Sequence, residues 1–69
     1  MQPFSFRRLV QLIREEFERA PGLRITVSEG ARFWALDLPT CEHVLQELLR
    51  VGYLVMGADA RYRQTPAAA

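Results

Sequence analysis

Thr26-Val27-Ser28-Glu29-Gly30-Ala31-Arg32-Phe33-Trp34-Ala35-Leu36-Asp37-Leu38-Pro39-Thr40-Cys41-Glu42-His43-Val44-Leu45-Gln46-Glu47-Leu48-Leu49-Arg50-Val51-Gly52-Tyr53-Leu54 is the stretch that decides the fold. It opens on a threonine with a glutamate three residues on, the pattern of a capping box. Val27, Ala31 and Trp34 share the inner face of the helix that follows, which runs to about Trp34. Ala35-Leu36 reads as a tight turn. Asp37 is the next cap, and Pro39 falls in the first turn, where a missing amide costs little. The helix it opens runs to about Val51 and turns Cys41, Val44, Leu45, Leu48 and Leu49 inward. Gly52 suits the left-handed residue that ends a helix.

Working outward, Ser5 caps an earlier helix, with Phe4 and Leu9 at the spacing of a hydrophobic staple. Phe6, Leu9, Val10, Ile13, Phe17 and Ala20 recur at helical period, and Pro21-Gly22 ends the run. Leu23-Arg24-Ile25 alternates as a short strand. Downstream, Tyr53 to Met56 reads as a strand with Leu54 and Met56 on one side. Gly57-Ala58-Asp59 reads as a turn, and Ala60 to Gln64 as the returning strand. The expected domain covers residues 1–64, with 65–69 a frayed tail.

Residues 26–54 resemble the helix-turn-helix unit of winged-helix regulators, closest to the IclR-type and MarR-type families. Ala31 stands where the two helices of such a unit touch, and Ala35 where the families usually place glycine. Leu45, Leu48, Gly52, Tyr53 and Leu54 match the ending of the second helix. The resemblance implies a small α+β winged helix-turn-helix fold: three helices, a short strand and a C-terminal β-hairpin wing. It implies a DNA-binding protein, a small transcription regulator or accessory factor, with helix 3 in the major groove and the wing on the backbone.

Composition bounds the rest. The chain has 69 residues, about half apolar, enough for one thin core. No run of eighteen apolar residues marks a membrane span. One cysteine allows no internal disulfide, which fits a cytoplasmic protein. All nine cationic side chains are arginine and the net charge is +1. Residues 1–24 carry five arginines against three glutamates, 25–52 two against four acids, and 53–69 two against one. The basic character therefore lies outside helix 3.

On helix 3 the stripe opposite the core is Pro39, His43, Gln46 and Arg50, with Thr40 beside it. Arg50 suits a phosphate or guanine edge, Gln46 an adenine edge, and Thr40 a phosphate. Glu42 and Glu47 flank the stripe, where phosphates would repel them. On the expected wing, Arg61 and Arg63 point the same way and suit backbone contacts; Arg7 and Arg8 can add others. An alternative reading follows from the acids: a protein-protein interaction module with an acidic helix-3 surface and no DNA binding. Phe33, Leu12, Phe4 and Met1 are candidate partner-facing residues, and a homodimer through Leu12, Phe33 and Phe4 would present two helices to a palindromic site.

Enzymatic readings find no support in the spacing. Cys41 and His43 lie two apart on a helix and point apart, so they share neither a metal nor a proton. His43 and Glu47 are placed for an ion pair. No glycine-rich phosphate loop or paired catalytic carboxylate is present, and no cofactor or metal is expected.

Overall fold

The computed structural model describes residues 5–66. They form three helices and a two-stranded antiparallel sheet: α1 (Phe6–Arg19), α2 (Val27–Phe33), α3 (Leu38–Arg50), β1 (Leu54–Met56) and β2 (Tyr62–Gln64). None of these helices is long and apolar enough to cross a membrane.

Each helix starts on the side chain that the sequence assigned. The Ser5 hydroxyl accepts from the Arg8 amide at 3.1 Å. The Thr26 hydroxyl accepts from Glu29 N–H, and the Glu29 carboxylate accepts from Thr26 N–H, so the capping box is complete. The Asp37 carboxylate accepts from the Thr40 amide at 3.2 Å. These bonds satisfy amides that have no partner inside the helix. Phe4, the expected staple partner of Leu9, lies outside the described residues.

Both turns around α3 use the left-handed region. Ala35 has φ 56° and Gly52 φ 84°. For Ala35 this conformation carries a Cβ clash that glycine would avoid. Packing offsets it: the turn brings Leu36 N–H onto the Ala31 carbonyl at 2.8 Å.

The helices and the ribbon close one core, with α1, α2 and β1 all packing on α3. α3 contributes Cys41, Val44, Leu45 and Leu48; α1 contributes Ile13 and Phe17; the remainder is Ile25, Ala31, Leu54 and Tyr62. Leu49 is only half-buried, and Ala20 caps α1 in solvent.

Two strand expectations also change. The strand at Leu23–Ile25 reduces to one bridge, Ile25 with Tyr62. Leu23 instead turns back toward helix α1, its amide bonding the Ala20 carbonyl. Met56 is 45% exposed although it shares a face with buried Leu54. Its cross-strand partner Tyr62 fills that end of the core face. Within the expected tail, the Thr65 hydroxyl donates to the Gly52 carbonyl at 2.7 Å and its amide bonds the Tyr53 carbonyl, while 67–69 lie outside the described residues.

The close approach of α2 to α3 rests on Gly30 as well as Ala31. A Cβ at Gly30 would lie 2.7 Å from the Trp34 ring and 3.1 Å from Cys41 Sγ. Phe17 and Phe33 stand 6.1 Å and 5.9 Å from the ring, centroid to centroid, and limit its movement on two sides. Gly30→Ala therefore sets a helix-propensity gain of about 1 kcal/mol against overpacking of about 1–3 kcal/mol. We expect a net loss of about 1 kcal/mol, read as a lower urea midpoint. A midpoint at or above that of the parent would mean that the ring yields.

Candidate functional site

The outward face of α3 is built by what its inner face must do. With Cys41, Val44, Leu45 and Leu48 committed to the core, helical geometry turns Pro39, His43, Gln46 and Arg50 outward, and all four are exposed. The face lies between two walls. On one side the start of α1 leans over it: the Phe6 and His43 rings stack with centroids 4.3 Å apart, and Phe6, Arg7, Val10 and Glu47 line a shared cleft. On the other side the ribbon reaches it, with Gln46 Nε2 donating to the Tyr62 hydroxyl at 3.0 Å.

Most polar side chains of this face already hold a partner. Arg50 grips Glu47 through two bonds, Nε to Oε1 at 3.1 Å and Nη2 to Oε2 at 2.6 Å. The expected His43–Glu47 ion pair is therefore replaced by Glu47–Arg50, one turn further along. That bond holds the Glu47 carboxyl below its ordinary range, and lifts the Arg50 guanidinium above its own. Thr40 is half-buried, and its hydroxyl and amide both hold down the Asp37 carboxyl. Glu42 is exposed. Cys41 is buried, its thiol directed at the Val27 carbonyl, and burial pushes its pKa up.

Arg61 and Arg63 leave the ribbon on the same side but end in different surroundings. Arg61 is half-buried, with Nη1 2.6 Å from Glu29 Oε1 and Nε 3.8 Å from Asp59 Oδ2. Arg63 is exposed. The two share a surface depression of about 340 Å³ with Arg24, beside the turn at Gly57–Asp59. Arg24 was missed in the sequence, although alternation with buried Ile25 was signal enough to put it on this outer side. Arg7, Arg8, Arg24, Arg32 and Arg63 form no ion pair among the described residues. Of the partner-facing candidates, Phe33 is 66% exposed and Leu12 half-buried; Phe4 and Met1 lie outside the described residues.

Comparison with protein-family models, with curated proteins and with solved structures found no match.

Three carboxylates in helix caps and ion pairs sit below their ordinary pKa. Glu29 is lowered first by the Thr26 amide and then by Arg61, Asp37 by Thr40, and Glu47 by Arg50. A lowered folded pKa stabilises the fold above the unfolded value, and the gain disappears as pH falls through the folded value. The thermal midpoint should stay level down to about pH 5 and drop below about pH 4. Glu29→Gln keeps an acceptor for Thr26 and removes the charge, so part of that acid slope should go with it. A midpoint unchanged down to about pH 2 would contradict the assignment.

Proposed function

We propose that this chain is a winged helix-turn-helix DNA-binding module, a small regulator or accessory factor. In this reading α3 enters the major groove and the hairpin is a wing against the sugar-phosphate backbone. The supporting observation is the setting of α3, with its polar stripe outward between the start of α1 and the ribbon. Arg50 is the base-edge candidate; Arg7 on one wall and Arg63 on the other are the backbone candidates. Arg61 is secondary, because Glu29 already occupies it.

Glu42 and Glu47 favour a second reading, a protein-interaction module for a basic partner. The exposure of Phe33 and Leu38, at 66% and 54%, points the same way.

Anisotropy titration with a mixed-sequence duplex separates the two. DNA binding should be measurable at about 50 mM salt and should weaken steeply toward about 200 mM. Arg63→Ala should reduce the salt slope by about 1, and Arg50→Ala should cost about 1–3 kcal/mol and relax sequence preference. Glu47→Gln should tighten binding, since it releases Arg50 and removes a carboxylate from the groove face. No binding at about 50 mM salt would sink the DNA reading, because phosphate attraction strengthens as salt is lowered.

A further inference from the structure

The flank of α1 turned away from the α3 stripe carries a feature that the DNA reading does not use. Leu9, Leu12 and Ile13 of α1 face Trp34, Ala35 and Leu36 of the α2–α3 turn across a groove of about 410 Å³. Leu9, Leu12, Trp34 and Leu36 are all half-buried, so the groove holds apolar surface that the monomer leaves partly wet. Glu16 and Arg19 stand on its rim and pair with one another.

Arg8, Leu12 and Glu16 lie four residues apart, so they form one ridge along the helix surface. The ridge has a cation at one end, an anion at the other and an apolar residue between them. Such a ridge complements itself when reversed. A two-fold axis through Leu12 sets leucine against leucine and brings Arg8 of each copy opposite Glu16 of its partner. Both contacts form at once, as a two-fold interface requires. Arg8 otherwise sits unfavourably. It lies in the first turn of α1, where the helix dipole disfavours a cation, and it forms no ion pair among the described residues.

We infer that the chain forms a two-fold homodimer in which antiparallel α1 ridges cross at Leu12 and the groove beside each is covered by the partner copy. The contact is modest. α1 has 14 residues, a face of about 21 by 10 Å. A standard interface buries about 800 Å² per partner. Association is therefore weak and concentration-dependent. The inference stands apart from the DNA reading, since α1 pairing is measured without nucleic acid.

Sedimentation of the intact chain from about 10 µM to about 1 mM reads the equilibrium, with circular dichroism confirming that each variant is folded. The parent chain should pass from monomer to dimer across that range. Leu12→Glu should leave it monomeric throughout. Arg8→Glu and Glu16→Arg, each alone, set like charges opposite one another twice and should raise the dimer Kd by about tenfold or more. The double variant Arg8→Glu with Glu16→Arg restores opposite charges and should recover most of that loss, although it sacrifices the same Glu16–Arg19 pair as the single variant. Parent chain that stays monomeric to about 1 mM would overturn the inference. So would a double variant that associates no better than the singles, which keeps the test decisive even if Leu12→Glu does not fold.

Discussion

Tyr62 joins parts of the chain that are distant in sequence. Its backbone bonds Ile25 through both amide and carbonyl, which ties the α1–α2 connection to β2. Its ring is 1% exposed and packs in the core shared with all three helices. Its hydroxyl is held by Gln46 of α3. In a chain this short the core is thin, and one buried aromatic ring contributes on the order of 3 kcal/mol. The ring cannot be buried with its hydroxyl oxygen left alone, since an unpartnered buried hydroxyl costs about 1–3 kcal/mol. Gln46 meets that need, so a side chain on the candidate recognition face is enlisted by the fold.

The same tension runs along the rest of α3. His43 covers Phe6, Gln46 serves Tyr62, and Arg50 neutralises Glu47. Magnitudes decide whether these contacts bar the face from a partner. The Arg50–Glu47 pair is exposed, so solvent screens it and it adds little. A bidentate contact to a guanine edge is worth about 1–3 kcal/mol. If the DNA reading holds, the pair would yield to a correct base edge. The Glu47 carboxylate is not removed by the exchange, and it remains a repulsive element beside any DNA backbone.

What the sequence disclosed was local. The caps at Ser5, Thr26 and Asp37, the left-handed stop at Gly52 and the inner face of α3 all follow from residues within a turn or two of each other. Strand alternation puts Arg61 and Arg63 on one side, but the burial of Tyr62 between them shows only in the packed core. The contacts that went unseen are distant in sequence. Gln46 with Tyr62 spans 16 residues, and Arg61 with Glu29 spans 32. Gly30 was passed over because a helical glycine shows its purpose only when the Trp34 ring stands against it. Arg61 was paired with Arg63 by strand alternation alone. Glu29 separates the two, since a carboxylate already fixed by the Thr26 amide was waiting within reach of one of them.

That double use of Glu29 fixes the ribbon relative to the helices. Thr26 N–H holds the carboxylate at the start of α2, and Arg61 reaches it from beside β2, so together with the Ile25–Tyr62 bridge the ribbon is tied at two points. The ribbon wall of the α3 face is then set by the fold, as the α1 wall is set by Phe6 on His43. α1 itself presents two separate flanks. Phe6, Arg7 and Val10 line the cleft toward Glu47, whereas Leu9, Leu12, Ile13 and Glu16 line the groove on the other side. No residue belongs to both. A second copy seated on the Leu12 flank would engage Arg8, Leu12 and Glu16, none of which lines the Arg7 cleft or belongs to the α3 stripe.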